Sequence, residues 1–558
     1  MINKDAKAIP VILIATSLIL GVFIASLPVP ILLQGIISDD SFYYFKIAHN
    51  VVRGRGFTFD TISPTNGFQP LWQFLLIPIF YLFRAPLLLP VRVTLYLQVV
   101  LLGSSALLML RLLRSVWMDS LAAFTASIVW ITFPSIFACI ISGLEGGLYA
   151  VLLIYTTWYY AEKFRVASQP ASFPQKAILG LLLGLTFLAR TEAGFFALIV
   201  LVDLTVLQIH QRGIRSLIGL SPTVLFSGLL ALPYLAWNLS VYGHPVPISG
   251  RVKAFLSAQQ RSALAEQGTV PLVSRLLQDW KSTDPIYEGV EIAVKGVRLL
   301  FHRLGLASGM GPVLLVLAIL GITVWFVRRP LGQRLPRLWP FTPLIGFAAV
   351  TCVYYNVYLF GHQRYWYFIP QMILSCMLIA LFLESLWERV QTLQLPFLRL
   401  STSILVCLLS LAAFAGWLIR LQVTPSFSGQ TYPYEYDVAQ WLSRNTAADA
   451  RIGVWNAGTV GYFSERAVIN LDGLVNSPAY FQHIQDRTVV SFLQGKGVDW
   501  VADYFYGDPF VKSIITRYDD PDRWLKHLQL ELCMPEEVGE GRSQWYIWRF
   551  CSSGSCDG

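Results

Sequence analysis

The sequence predicts a mostly α-helical membrane protein, a polytopic transmembrane helix bundle with a small C-terminal α/β domain. Of its 558 residues, 55% are hydrophobic and 13% are charged, whereas about a quarter of the residues of soluble domains are charged. The mean hydropathy of +0.55 also excludes a soluble globular protein. Apolar residues become less frequent towards the C-terminus. We therefore expect a transmembrane module over residues 1–420 and a separate domain over residues 421–558.

About eleven apolar runs are long enough to cross a bilayer, which takes roughly 20 residues for each helix. They cover residues 8–30, 87–110, 120–140, 144–161, 177–189, 193–209, 216–237, 309–327, 339–359, 365–386 and 400–420. Pro28 and Pro30 follow the first run, where a signal peptidase would need small residues. We therefore expect this run to remain as a membrane anchor.

The distribution of Lys and Arg predicts the orientation, because cytoplasmic loops of membrane proteins are rich in both. With a cytoplasmic N-terminus, the inner segments hold Lys4, Lys7, Arg111, Arg114, Lys163, Arg165, Lys176, Arg212, Arg215, Arg328, Arg329, Arg334, Arg337, Arg389 and Arg399. The short outer turns hold only Arg190 and Arg364. This bias requires that the apolar stretch Phe68–Phe83, which contains Pro70 and Pro78, lies at the interface without crossing. The net charge of +9 then reflects topology and not a nucleic-acid partner.

Ionisable residues accumulate at the outer ends of the predicted spans. Under this topology, residues 31–86, 238–308 and 421–558 are the long outer segments. The ionisable residues at this face are Asp39, Asp40, Glu145, Arg190, Glu192 and Arg364. Charged groups at membrane depth are costly and usually functional, although each alone is also compatible with a structural ion pair or a snorkelling side chain. Their convergence on one side of the bundle predicts a site.

The adjacent carboxylates Asp39 and Asp40 follow the first span. Such a pair can deprotonate a hydroxyl group or hold a divalent cation. A solvated pair that caps a helix is the structural alternative. The residues around the pair favour the chemical role.

The C-terminal domain alternates helix-like and strand-like segments. We predict a helix over Tyr434–Arg444 and strands over Arg451–Trp455, Val468–Leu471, Trp500–Ala502 and Gln544–Phe550. The polar turn Asn470–Asn476 ends the second strand, and we interpret it as ordinary strand-to-loop chemistry in preference to a substrate site.

Cysteine and histidine provide few functional signals. The seven His residues and seven Cys residues show neither zinc-finger spacing nor an HExxH motif, and no GxxxxGK[ST] loop is present. Nucleotide hydrolysis is therefore not expected. Cys533, Cys551 and Cys556 allow one disulfide within the C-terminal domain.

Several motifs occur at intervals over much of the chain. They are Asp39–Ala48, Gly54–Asp60, Ser63–Trp72, Ser142–Glu145, Leu188–Glu192, Gly243–Gly250, Arg364-Tyr365 closed by Pro370, and Asn470–Asn476. In combination they resemble the motifs of bacterial GT-C glycosyltransferases, which include protein mannosyltransferases, lipid A aminoarabinose transferases and mycobacterial arabinofuranosyltransferases. Leu144 stands where the family commonly has Met, and Gly146-Gly147 replaces the polar or small residues often found there. The sequence therefore does not show whether the acceptor is bound near this loop as it is in the family.

The resemblance implies transfer of a sugar from a polyprenyl-phosphate carrier to a glycan, lipid or protein acceptor at the outer face of the bacterial plasma membrane. Transfer would proceed with inversion, which needs one base. We expect Asp39 or Asp40 to be this base and Glu145 to support it. The predicted substrate-binding residues are Arg364, Arg251 and Lys253 for the donor phosphate, together with Arg190, Glu192, Tyr44 and Asn66. Arg190 and Glu192 are expected mainly to pair with each other.

Metal binding and the role of the aromatic residues are predicted less specifically. Asp40 and Glu145 are candidate ligands for Mg²⁺ or Mn²⁺, which prefer oxygen ligands, but GT-C members differ in metal dependence. The aromatic residues Phe42, Tyr43, Tyr44, Phe45 and Trp72 suit either sugar stacking or anchoring at the membrane interface, and anchoring is favoured.

Two other functions are compatible with parts of the pattern. A transporter or flippase of lipid-linked sugars normally has broken helices, charges near the midplane and an internal repeat, whereas the charged residues here gather at one face. A scaffold protein that works through its outer domain would not need acids at the mouth of the bundle.

Overall fold

The structure is a computed structural model. It describes residues 2–33, 35–115, 118–266, 310–359, 364–392, 394, 397–423, 434–505, 515–534 and 544–551, together with residues 290, 294–295, 297–298 and 301–303. Much of the predicted outer segment 238–308, as well as Cys556, lies outside these residues.

The described part of the chain up to residue 423 is helical. Its α-helices are α1 (Ile2–Ala25), α2 (Val29–Leu33), α3 (Asp39–Val52), α4 (Pro70–Leu82), α5 (Leu88–Ser115), α6 (Ser120–Thr132), α7 (Pro134–Ile140), α8 (Gly146–Tyr160), α9 (Phe173–Ala189), α10 (Ala193–Arg212), α11 (Ser221–Tyr242), α12 (Ile248–Glu266), α13 (Gly311–Arg334), α14 (Thr342–Val353), α15 (Ile369–Thr392) and α16 (Phe397–Val423). Short 3₁₀ or π segments cover Ala161–Arg165, Ile214–Leu220, Leu335–Phe341, Tyr354–Tyr358 and Tyr365–Tyr367.

The number of membrane spans depends on how short and joined helices are counted. Among the described residues, 7 helical runs are long and apolar enough to cross a membrane, or 8 if the bent pair α6–α7 is one span. Two predicted spans fall in one run, Val313–Tyr358, and α9 is shorter than the usual span. Helix α8 has 15 residues and continues into the π segment Ala161–Arg165. The polytopic bundle is thus confirmed, and the count of eleven stays a prediction.

The first outer segment folds into α3 and α4 at one end of the bundle. Helix α4 has 13 residues, with Pro70 in its first turn, and is about 20 Å long at 1.5 Å per residue. This length is shorter than the hydrocarbon core of about 30 Å, and the position of Phe68–Phe83 at the interface stays a prediction.

The C-terminal domain contains, in its described residues, a mixed five-stranded sheet. Its strands are β1 (Arg451–Val454), β2 (Ala467–Asn470), β3 (Trp500–Phe505), β4 (Leu528–Met534) and β5 (Gln544–Phe550), in the order β2-β1-β3-β5-β4. Its helices are α17 (Tyr434–Asn445), α18 (Ala457–Phe463), α19 (Pro478–Gln485), α20 (Val489–Gly495) and α21 (Pro521–Lys526). Pairing is parallel between β1 and its two neighbours and antiparallel between β5 and its two neighbours. The four predicted strands and the predicted helix are confirmed, and β4 was missed.

The aromatic residues of α3 form a core between the bundle and the C-terminal domain. Phe42 and Phe45 are fully buried, and Phe42 packs against Tyr462 and Phe463 of α18. Trp72 is also fully buried and donates a hydrogen bond to the Gly143 carbonyl oxygen. The prediction that these aromatic residues anchor the protein at the membrane interface is therefore wrong, because contacts with distant parts of the chain bury them.

Candidate active site

A cavity of about 290 Å³ lies where one end of the helix bundle meets the C-terminal domain. Six of the predicted site residues line it: Asp40, Tyr44, Glu145, Arg190, Glu192 and Lys253. Apolar side chains such as Phe187, Leu235 and Val246 form another part of the wall. The cavity thus combines charged groups with an apolar surface, as small-molecule sites commonly do.

The two adjacent carboxylates of α3 have different environments. Both oxygens of Asp39 accept hydrogen bonds from α18: Oδ2 from the Gly458 amide at 3.1 Å, and Oδ1 from the amide and hydroxyl of Thr459 at 2.7 and 2.8 Å. Burial raises the pKa of Asp39, and these hydrogen bonds oppose the shift. A Cβ atom at Gly458 would lie 2.1 Å from the Asp39 carbonyl oxygen, so the contact requires glycine. Asp39 therefore joins α3 to the C-terminal domain.

Asp40 faces the cavity. Its side chain is half-buried and lines the cavity wall. No hydrogen bond from another side chain or backbone amide of the described residues reaches its carboxylate. Asp40 is thus the carboxylate of the pair that is available to a ligand.

The loop Ser142–Glu145 is fixed by α3 and α5. Ser41 donates a hydrogen bond to the Ser142 carbonyl oxygen at 2.6 Å, and Gln98 binds the Gly143 amide and the Leu144 carbonyl oxygen at 2.9 and 2.7 Å. Gly143 has φ +87°, and a Cβ atom there would lie 2.8 Å from Cβ of Ser41. The motif therefore needs glycine at this position to present Glu145 to the cavity.

Glu145 belongs to a buried network. Its Oε1 accepts a hydrogen bond from Arg190 Nη1 at 2.8 Å, and its Oε2 accepts one from the Tyr44 hydroxyl at 2.9 Å. Arg190 also pairs with Glu192, as predicted, and contacts the Tyr355 hydroxyl at 3.4 Å. Two carboxylates share the charge of Arg190, so this arginine is largely neutralised within the protein. The pairing of Arg190 with Glu145 was not predicted.

Lys253, on α12, provides a second cation at the cavity. Its Nζ donates a hydrogen bond to the Tyr367 hydroxyl at 2.7 Å. Burial lowers the pKa of Lys253, but Tyr367 and Asp40 raise it to a larger extent, so its pKa lies above its usual value. The charge of Arg364 also acts on Lys253. Arg364 itself is exposed and does not line the cavity.

Asn66 and Arg251 lie outside the cavity lining. Asn66 is buried, donates to Asn238 Oδ1 at 3.1 Å and accepts from the Ile248 amide at 3.0 Å. It therefore connects the first outer segment to α11 and α12. Arg251 lies over the ring of Phe481, 4.9 Å from its centroid.

Sequence reasoning missed Asp472, in the turn after β2. Its Oδ2 accepts a hydrogen bond from the Tyr43 hydroxyl at 3.2 Å, and Tyr43 lines the cavity. The charges of Asp40 and Lys253 both act on Asp472. The turn was included in the motif comparison, but its polar composition is also that of an ordinary turn.

Solved structures of two membrane proteins are similar to this chain over most of its length. AglB, an archaeal oligosaccharyltransferase from Archaeoglobus fulgidus, in complex with an inhibitory peptide and a dolichol-phosphate, has a TM-score of 0.56 at 13% identity, covering 96% of this chain and 74% of AglB. ArnT from Cupriavidus metallidurans bound to undecaprenyl phosphate has a TM-score of 0.52 at 10% identity, covering 95% of this chain and 97% of ArnT. The chain has the GT-C fold.

This GT-C fold confirms the resemblance that the motifs predicted, at the level of architecture. A third structure, of the Archaeoglobus fulgidus oligosaccharyltransferase in complex with Zn and sulfate, has a TM-score of 0.55 at 15% identity and covers 93% of this chain and 71% of that one. A family model described as a domain of unknown function, DUF8728, matches residues 425–548. No curated protein matches the sequence.

A divalent cation needs several oxygen ligands. Both oxygens of Asp39 and both oxygens of Glu145 also accept hydrogen bonds from the protein. Lys253 adds a positive charge near Asp40. In the part of the chain that the structure describes, no three His, Cys, Asp or Glu residues cluster as metal ligands. The Mg²⁺ or Mn²⁺ site on Asp40 and Glu145 stays a prediction.

Proposed function

We propose that this protein is an inverting glycosyltransferase that moves a hexose or pentose from a polyprenyl-phosphate carrier to a glycan, lipid or protein acceptor at the outer face of the membrane. One observation carries this proposal. The cavity holds a carboxylate without a hydrogen-bond partner among the described residues, Asp40, near the half-buried Lys253. A base and a cation in one cavity suit a displacement at a phosphate-linked sugar.

The step follows from these two groups. Asp40 accepts the proton of an acceptor hydroxyl group, and the oxygen attacks the anomeric carbon of the donor sugar from the face opposite the phosphate. The bond between the anomeric carbon and the phosphate oxygen breaks, and the polyprenyl phosphate leaves with the bonding electron pair. Asp39 is less suited to this role, because both of its oxygens already accept hydrogen bonds from α18.

Lys253 and Arg364 are the cations that would stabilise the leaving phosphate. Negative charge grows on the phosphate as the bond breaks, and a fixed cation lowers the energy of that state. Arg190 is less suited, because Glu145 and Glu192 already bind it. We therefore assign the leaving phosphate to Lys253 and Arg364.

The lipid carrier is inferred from the similar structures and from the cavity wall. AglB was solved with a dolichol-phosphate and ArnT with undecaprenyl phosphate. Phe187, Leu235 and Val246 give this cavity an apolar side on which a prenyl chain can pack. We place the protein in the bacterial plasma membrane among membrane lipids, with a cytoplasmic N-terminus and an extracytoplasmic C-terminal domain.

Two measurements test this function and the proposed topology. Membranes that contain the protein should transfer radiolabel from polyprenyl-phosphate sugars to an acceptor, so that the label no longer extracts with the lipid carrier. A flippase would only change the side of the membrane on which the labelled lipid is found. Reporter fusions should place the segment Arg328–Arg337 in the cytoplasm and residues 434–551 outside. Movement of labelled lipid without transfer would favour the flippase and contradict the proposal.

A further inference from the structure

The backbone of Lys253 is fixed by the packing of α12. Val252, the preceding residue, is fully buried in the core of the C-terminal domain. About two turns further along α12, Arg261 donates a hydrogen bond to the Val357 carbonyl oxygen at 3.0 Å. The ammonium group, however, lies at the end of a flexible four-carbon stem. Its position at the cavity therefore depends on a contact at its tip.

Tyr367 provides this contact. Lys253 Nζ donates a hydrogen bond to the Tyr367 hydroxyl at 2.7 Å and lies 5.4 Å from the centroid of the ring, within the range of a cation–π interaction. Among the described residues, no carboxylate forms an ion pair with Lys253. An ammonium group has three donors, so the bond to Tyr367 leaves two for a ligand.

Tyr367 is itself held by an aromatic stack. Its ring lies on that of Tyr355, with the centroids 4.4 Å apart and the planes inclined by 17°. The Arg190 guanidinium group lies 5.0 Å from the Tyr367 centroid and contacts the Tyr355 hydroxyl at 3.4 Å. Both tyrosines are buried, and Glu145 and Glu192 hold Arg190 in turn. The Tyr367 ring therefore cannot change its orientation without breaking several contacts.

Tyr355 lies where the chain leaves α-helical geometry. The π segment Tyr354–Tyr358 directly follows α14, and its consecutive residues Tyr354 and Tyr355 both line the cavity, as does Tyr367. Segments of π-helix are rare and are frequent at functional sites. The backbone thus gives a second reason, independent of the side-chain contacts, to assign a functional role to the stack.

A lysine held in place is a better partner for a phosphate than a mobile one. Its side chain loses less conformational freedom when the ligand binds. It also needs no reorganisation when negative charge grows on the leaving phosphate. Phenylalanine at position 367 would keep the ring and its stack on Tyr355 but could not accept the hydrogen bond, so the ammonium group would lose its fixed position.

We propose that Tyr367 is a positioning residue that holds the Lys253 ammonium group for the donor phosphate, and that Tyr355 and Arg190 hold Tyr367. Tyr367 then acts on the phosphate through Lys253. Arg190, which two carboxylates neutralise, contributes to donor binding by orienting the stack and without contacting the phosphate. This inference rests on the proposed function, because that function assigns the phosphate to Lys253.

The test is a double-mutant cycle, measured as binding of undecaprenyl phosphate to the purified full-length protein. Tyr367→Phe should raise the Kd about three- to tenfold, as for loss of one hydrogen bond. In the Lys253→Gln background the same change should have no further effect, because the group that Tyr367 positions is gone. Tyr358→Phe is the matched control, since Tyr358 is exposed, lies on the same π segment and is not part of the cavity lining. Its Kd should equal that of the wild type.

The cycle separates positioning from a purely structural role. A residue that only supports the fold would weaken binding to the same extent with and without Lys253. The Tm of Tyr367→Phe, measured on the same samples, should stay near the wild-type value, because its ring remains stacked on Tyr355.

The outcomes distinguish this inference from the proposed function. An unchanged Kd in Tyr367→Phe, together with the expected loss in Lys253→Gln, would overturn the positioning role alone. Equal losses from Tyr367→Phe in both backgrounds would also overturn it. An unchanged Kd in both single variants would overturn the positioning role and the assignment of the phosphate to Lys253.

Two further results complete the test. Absence of transfer by the wild type, with the cycle as expected, would overturn the proposed function and support a lipid-phosphate site that Tyr367 organises. If Tyr367→Phe fails to fold, Tyr355→Leu keeps the Tyr367 hydroxyl and removes the ring on which Tyr367 stacks. That variant should raise the Kd only where Lys253 is present, and an unchanged Kd would overturn the positioning role.

Discussion

The two ends of the helix bundle both carry clusters of charged residues. Among the described residues, the cluster at one end surrounds a cavity with a carboxylate left for a ligand, and the cluster at the other end is fully paired. At the end opposite the candidate site, Glu384 accepts from Arg334 at 3.3 Å and from Arg337 at 3.1 Å. Arg399 pairs there with Asp119. Glu384 lies about 22 Å from the cavity end of α15 at 1.5 Å per residue.

This difference shows that a cluster of charged residues does not by itself identify a functional site in a membrane protein. At the far end the acids and bases neutralise one another. At the cavity, Glu145, Arg190 and Glu192 also neutralise one another, but Asp40 remains without a hydrogen bond among the described residues. Incomplete pairing beside a cavity is the feature that separates the two clusters.

The largest expected loss of stability is at Arg190. Arg190→Met leaves Glu145 and Glu192 without their shared cation, and removing one partner of a buried ion pair costs about 3–5 kcal/mol. Thermal melting in detergent should therefore show a large drop in Tm. The double variant Arg190→Met/Glu192→Gln should recover part of the loss, and a melting temperature unchanged in the single variant would contradict the network.

A smaller loss of stability is expected at the far cluster. Glu384→Gln weakens the contacts with Arg334 and Arg337, which are themselves partly exposed, and should cost about 1–3 kcal/mol. Because Glu384 is distant from the cavity, the Kd for undecaprenyl phosphate should stay at the wild-type value in the folded fraction. Weaker binding in this variant would mean that the two clusters are coupled.

Donor binding distinguishes the candidate cations. Lys253→Gln should raise the Kd for undecaprenyl phosphate about tenfold, the value expected for one charge-assisted hydrogen bond of roughly 1.5 kcal/mol. Arg251→Gln serves as the matched comparison, because Arg251 lies over Phe481 outside the cavity lining. Equal effects of the two changes would contradict the assignment of the phosphate to Lys253.

The smallest effect is expected for Arg364→Lys. The exposed guanidinium group of Arg364 acts on Lys253 from outside the cavity lining. The lysine variant keeps the positive charge but loses the planar guanidinium group. The affinity for undecaprenyl phosphate should therefore fall only a few-fold, by about 1 kcal/mol or less. Titration with undecaprenyl phosphate measures this change. A loss as large as that of Lys253→Gln would show that Arg364 contacts the phosphate directly.

Local patterns predicted the elements and part of the site. Apolar runs identified the bundle, and the first-loop and second-loop motifs located Asp40 and Glu145. Strand β4 was missed although Leu528, Leu530 and Leu532 alternate with polar residues, the pattern of a half-buried strand.

Contacts between distant parts of the chain could not be predicted in this way. Asp39 meets Thr459 and Tyr43 meets Asp472, pairs separated by more than four hundred residues. These contacts decide that Asp39 joins two domains while Asp40 faces the cavity. Adjacent identical side chains give no local signal for such a division of roles.

The most direct test of the central claim is therefore transfer of radiolabel by Asp39→Asn and Asp40→Asn, measured beside undecaprenyl phosphate binding on the same purified samples. The account predicts that Asp40→Asn binds the lipid and melts like the wild type but transfers about a hundred- to ten-thousand-fold more slowly, as expected for loss of a general base. Asp39→Asn should melt at a lower temperature and retain transfer in its folded fraction. Wild-type transfer by Asp40→Asn, or abolished transfer by a stably folded Asp39→Asn, would contradict the assignment.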